Sequence, residues 1–176
     1  MNRFTILVIT LILCAISGNV FGITASANHQ VQIVVAEIAA MALSDATLLS
    51  LSTTDPALPG GNPQGSIDSA RYLRYTTLNT TGTNRKIQAS LSAGAPAGTA
   101  LKLTAAMVGG GYGTSAGQVT LSASAQDLVT VIGSGATGSA GINGANLQYV
   151  LAVVTPTSLV IGSTTVTITF TLTEDL

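Results

Sequence analysis

Cysteine, histidine and tryptophan are almost missing from this chain of 176 residues, which has one Cys, one His and no Trp. The cysteine, Cys14, sits in an apolar run near the start of the chain. If that run is removed, no disulfide can staple the fold, and burial of apolar surface must hold it. Zinc needs three or four Cys, His or carboxylate ligands, and a lone His29 without cysteine cannot supply a usual set. Charge is scarce as well, with 6 Lys and Arg against 7 Asp and Glu. No basic stripe exists to neutralise phosphates, which excludes nucleic acid as an expected partner. Aromatic residues make up 4% of the chain. That argues against a sugar-stacking surface, and Tyr112, inside Gly109-Gly110-Gly111-Tyr112-Gly113, is the one ring expected to be exposed.

The first residues pair Arg3 with a mostly apolar run over 4–16, the layout of a secretory signal peptide. The run is too short to cross a bilayer comfortably as a mature helix. Cleavage after Gly22 is the expected site, and Ala25-Ser26-Ala27 offers a second one after Ala27. Cys14 follows Leu13 rather than the small residue that lipoprotein processing wants, so it reads as part of the apolar run. The expectation is an exported protein, extracellular, on the cell surface or periplasmic. Residues 1–22 form the signal, 23–176 form one domain, and the mature protein has no membrane span. Without Arg3, the five cations Arg71, Arg74, Arg85, Lys86 and Lys102 face seven acids, a net charge of −2.

The rest of the chain alternates with period two wherever it is not Gly, Ser or Pro. In 164–173, Val166, Ile168, Phe170 and Leu172 interleave with Thr165, Thr167, Thr169 and Thr171, giving an apolar face and a threonine ladder. Residues 29–35 begin the same way, with Val31, Ile33 and Val35 on one side. Further strands are expected around Leu73 and Tyr75; Ile87, Ala89 and Leu91; Leu101, Leu103 and Ala105; Val119 and Leu121; Val129 and Val131; and Leu147, Tyr149, Leu151 and Val153. Segment 34–51 is ambiguous between a short helix and two strands turning at Ser44-Asp45, and the strand reading is preferred because 46–51 continues as sheet. About eight or nine strands without clear helices predict an all-β, immunoglobulin-like two-sheet sandwich, with closure into a barrel as the alternative. Longer breaks at 55–65, 109–117 and 133–144 are glycine-rich and suited to exposed loops.

Two strings mimic functional motifs. Gly113-Thr114-Ser115-Ala116-Gly117 fits the hydrolase nucleophile elbow, but the only histidine lies upstream and no helix is expected to follow. Gly133-Ser134-Gly135-Ala136-Thr137-Gly138 fits a dinucleotide fingerprint, yet Gly141 and Gly144 follow where a helix must start. Both read as loops. Asp55, Asn62 and Asp68 lie near one long loop but match no known calcium spacing. Neither catalytic residues nor a cofactor is expected.

The ending Ile161-Gly162-Ser163-Thr164-Thr165-Val166-Thr167-Ile168-Thr169-Phe170 resembles the closing strand of bacterial pilin-like surface domains, including the spore coat protein U type. The overall layout is also similar to secreted WxL-type wall proteins. The chain departs from these families in having no Trp, no cysteine pair and further residues after Phe170. The resemblance implies a non-enzymatic structural protein of the cell surface or extracellular matrix, a fibre or coat subunit whose partner is itself or another surface component. The alternative is an adhesin-like binding module that presents its loops to glycan or protein. Terminal segments without blunting charges suit assembly by strand exchange, with Val31, Ile33, Val35, Val166, Ile168 and Phe170 as the contact residues, and the alternative is that both terminal strands pair within their own domain.

Overall fold

The computed structural model describes residues 27–107 and 112–175. One compact unit spans Val35–Leu176, and the residues before it, Met1–Val34, form a separate one. The expected signal peptide lies outside the described residues, except for Ala27 in the longer alternative. Residues 27–34 carry no secondary structure, and no ladder includes them.

The compact unit is all-β. Its strands in chain order are β1 (Ile38–Leu43), β2 (Thr53–Thr54), β3 (Gln64–Gly65), β4 (Ile67–Leu78), β5 (Asn84–Leu91), β6 (Thr99–Met107), β7 (Thr114–Ser115), β8 (Gln118–Thr120), β9 (Gln126–Ile132), β10 (Gly135–Ala136), β11 (Ala145–Val153) and β12 (Ile168–Asp175). Eight of these have three residues or more, and the only helical turn among the described residues is a 3-10 turn at Pro156–Ser158. One antiparallel sheet runs β1-β4-β11-β6-β8, with β10 beside β4, and a second runs β12-β5-β9-β7. The sheets are not closed into a barrel, so the sandwich reading holds.

The alternation in the sequence explains the layers. In β4, Leu73, Tyr75 and Thr77 point inward and are buried. Ile87, Ala89 and Leu91 of β5, Leu101, Leu103 and Ala105 of β6, Leu128, Val129 and Ile132 of β9, and Ala145, Leu147 and Tyr149 of β11 meet them. Burying such side chains is the main favourable term, at roughly 1.5–3 kcal/mol for each large aliphatic one. No cysteine is needed at the centre of this core.

Segment 34–51 resolves into one strand and a loop. β1 pairs with β4 from Ile38 opposite Leu78 to Leu43 opposite Leu73. Asp45 then makes a turn by accepting the Thr47 N–H at 2.8 Å. The second strand expected over 46–51 does not form. Instead Arg71, buried in β4, donates to the carbonyls of Asp45 and Thr47 at 2.8 and 2.9 Å, which holds this backbone as a loop, while Leu49 and Leu51 pack against the core. The strand expected over 29–35 is absent too. The last strand starts four residues later than expected, because Thr167 N–H bonds to the Ser92 hydroxyl and the regular ladder begins only at Ile168.

Two glycines are fixed by close approach. A Cβ on Gly144, whose φ is +102°, would lie 2.1 Å from the Leu73 carbonyl oxygen, and one on Gly135 would strike the Tyr112 ring. In β9 the pairing with β5 jumps from Val129 opposite Ile87 to Ile132 opposite Arg85, a bulge that puts Val131 at φ 55°.

Candidate functional site

The two sides of the sandwich end differently. On one side the sheets finish in β8 and β7, of three and two residues, and such short edges offer little template for another chain. On the other side they finish in β1 and β12, of six and eight residues. From Ile168 to Thr173 no residue is charged or proline, and β1 has none either. Among the described residues no strand covers the outer edge of β12.

The side chains along that edge are left half covered. Ile168, Phe170 and Leu172 face the same way as Ile87, Ala89 and Leu91 on the neighbouring strand, yet only the latter three are buried. Met41 and Leu43 of β1 are likewise half-buried against the core. Backbone phase is fixed by Ser92, whose N–H donates to the Thr167 carbonyl at 2.9 Å in register with the β12–β5 ladder. In an antiparallel pair the bonded positions alternate, so Thr169, Thr171 and Thr173 bond β5. Ile168, Phe170, Leu172 and Glu174 therefore turn their N–H and C=O groups to the open edge.

Charge collects where β12 ends and β1 begins, called here the upper end. Arg85 of β5 donates to Glu37 and to the Asn79 side-chain oxygen, and Glu174 lies opposite Arg85 in the ladder. The Glu37 contact pins the backbone next to the start of β1. On the outer face Lys86 stands between Asp127 and Asp175, at 3.9 and 3.8 Å. Exposed pairs of this kind contribute little to stability. Asp175 also accepts the N–H of Val131 at 3.1 Å, tying the β9 bulge to the last strand.

No family model matches this chain, and neither do the curated proteins or the solved structures compared with it. Function must be argued from the geometry.

Of the residues expected to take part in strand exchange, Val31, Ile33 and Val35 are exposed, at 68, 83 and 76%, and lie outside any ladder. Ile168 and Phe170 stand in β12, and Val166 lies just before it, half-buried. The apolar residues of 29–35 are thus exposed and the inward face of β12 is half-buried.

The other strings are absorbed by the sheets. Ser115 lies in β7 and its hydroxyl accepts the Gly117 N–H at 3.2 Å. Residues 133–138 contain β10, paired with β4, and the Thr137 hydroxyl donates to the Tyr75 carbonyl. Asp68 uses its carboxylate on the Ala70 N–H, and among the described residues no three His, Cys, Asp or Glu side chains come together. The described parts of loops 109–117 and 133–144 sit at the upper end, where β6 finishes and β11 starts, while 55–65 precedes β4 at the opposite, lower end. The three loops therefore do not form one surface. Among the described residues no helix is long and apolar enough to cross a membrane.

Sequence reasoning missed two buried polar anchors. Arg71 holds the 45–47 loop, where the N–H and hydroxyl of Thr47, with Arg71 nearby, keep the Asp45 carboxyl below its usual range. Tyr75 donates its hydroxyl to the Tyr112 carbonyl at 2.6 Å, and burial pushes its pKa up to about 12. Each stands at an inward position of β4, where the alternation marked Leu73 and Tyr75 but not Arg71.

Proposed function

We propose that this chain is an exported, non-enzymatic structural subunit of a cell-surface or extracellular fibre or coat, in which the run 29–35 of one copy adds as a strand to the open β12 edge of the next. The observation that carries the reading is a matched pair of incomplete features. β12 has eight residues, no strand on its outer side among the described residues, and half-covered apolar side chains. The run has the complementary alternation, with three exposed apolar residues and no strand of its own. Strand addition satisfies the backbone of both and buries both apolar faces.

Onto β12 of its own copy the run could lie only parallel, the less stable pairing, because β1 and β12 run in opposite directions in different sheets. Folding of the run back onto the outer edge of β1 is disfavoured by turn chemistry. It would have to reverse direction within Ala36-Glu37 just ahead of β1, and two-residue hairpin turns require positive φ, which Asn and Gly accept and Ala and Glu resist. Size-exclusion chromatography with light scattering on the secreted protein tests the reading. Concentration-dependent multimers are expected, and a variant lacking 23–35 is expected to be a folded monomer. A parent protein that stays monomeric at every concentration refutes it and favours a loop-presenting binding module, and an unfolded deletion variant assigns the run to its own core.

A further inference from the structure

The strand-addition reading leaves open how the added strand lies, and this inference rests on that reading. We infer that the run from a second copy enters antiparallel to β12 in a single register. Val35 sits opposite Ile168, Ile33 opposite Phe170, Val31 opposite Leu172 and His29 opposite Glu174, and the copies follow one another head to tail.

Direction follows from where the chain leaves. The run joins β1 through Ala36-Glu37, and β1 starts at the upper end, so the last residue of the run is tethered to the upper end of its own copy. β12 runs from the lower end to the upper end. An antiparallel incoming strand has its last residue, Val35, beside Ile168 at the lower end, where the body of its own copy lies clear of the acceptor. A parallel one would bring that body to the upper end, against the departing run of the acceptor. Antiparallel pairing is also slightly the more stable of the two. The reach matches: seven extended residues cover about 23 Å, close to the length of eight-residue β12.

Register follows from faces and charge. Residues directly opposite each other point to the same face, so Val31, Ile33 and Val35 must stand opposite the inward-facing, even-numbered residues of β12, and only steps of two remain. Sliding one step toward the start of β12 sets His29 on Leu172 and Val35 on Val166, outside the ladder. Sliding the other way sets Val31 on Glu174 and leaves Ile168 uncovered. The intermediate register covers all three apolar residues of β12. It also sets His29 opposite Glu174, an exposed carboxylate that makes no ion pair among the described residues, since the guanidinium of its ladder neighbour Arg85 is bound to Glu37.

Cysteine pairs on the outer face distinguish these registers without touching the core, and the mature chain has no other thiol. Gln32 stands opposite Thr171 at a non-hydrogen-bonded position, where Cα atoms are about 4.5 Å apart and within disulfide reach. Gln32→Cys combined with Thr171→Cys should give a ladder of covalent multimers on non-reducing gels. Gln32→Cys with Thr169→Cys, or with Thr173→Cys, should give at least tenfold less. Assembled protein whose strongest ladder comes from either control pair overturns the register while leaving strand addition intact. A disulfide formed within one chain, or no ladder from any pair in protein that light scattering shows to be assembled, overturns pairing at β12. Absence of assembly in the parent protein overturns the functional reading as well.

Discussion

Replacing Ile33 by Asp separates the two roles a side chain can have in this protein. Ile33 is 83% exposed and in no ladder, so the variant domain should melt with the parent, within about 1 °C. In the added strand the same side chain would lie opposite Phe170 on the inward face. Burying an isoleucine contributes roughly 1.5–3 kcal/mol, and an unpaired carboxylate in that position costs several kcal/mol more. At 1.4 kcal/mol for each factor of ten, the affinity between copies should fall by at least about 100-fold. Gln32→Asp, one residue away but on the outer face, should change it less than about fivefold. Sedimentation velocity over a concentration series reads both affinities, and circular dichroism melts read the domain. The reasoning is refuted if Ile33→Asp assembles at the parent's concentration, or if it melts several degrees lower.

Other consequences can be measured on the domain alone. Leu103 is fully buried at the centre of β6, and Leu103→Ala should cost about 2–5 kcal/mol in urea unfolding. Val131 holds a left-handed φ of 55° while its side chain is 53% exposed, so Val131→Gly should stabilise the fold by about 1 kcal/mol, and a loss instead would show that the valine side chain makes a needed contact. Burial raises Tyr75 and Tyr149 to about 12, above the ordinary tyrosine value near 10. The unfolded chain therefore ionises first, and stability that is fully present below about pH 10 should fall as pH rises toward 12. A melting temperature that is flat through that window would contradict the burial of both hydroxyls.

Period-two alternation made much of this fold legible because it reports directly which residues can share a buried face. Ile87, Ala89 and Leu91, or Leu147 and Tyr149, are where the alternation places them. Alternation does not say what does the burying. The run 29–35 has the same pattern as β5, yet it is exposed and in no ladder, and under the strand-addition proposal the partner is a second copy. Residues 46–51 failed for a different reason, since the long-range donation from Arg71 to two of their neighbouring carbonyls outweighs a local preference for sheet. The bulge at Val131 was hidden because valine is the residue least expected at a left-handed φ. The half-covered state of Ile168, Phe170 and Leu172 depends on sheet order, which no local pattern encodes.

The central claim is that β12 lacks one strand and that 29–35 supplies it. β12 ends at Asp175 on the upper end, where an antiparallel strand in the inferred register must begin. A chain starting at Ala36, with an Asn-Gly turn in place of Asp175 and Leu176 and residues 29–35 copied behind it, would close on the hydrogen-bonded pair of Glu174 and His29 and carry the strand as a hairpin on its own edge. Urea unfolding with light scattering on this protein, beside the same chain without the added hairpin, is the most direct measurement. The account predicts a strict monomer, several kcal/mol more stable than its shorter counterpart, since Val31, Ile33 and Val35 each contribute about 1.5–3 kcal/mol at most when buried. Equal stability of the two chains, or continued assembly of the hairpin form, would contradict it.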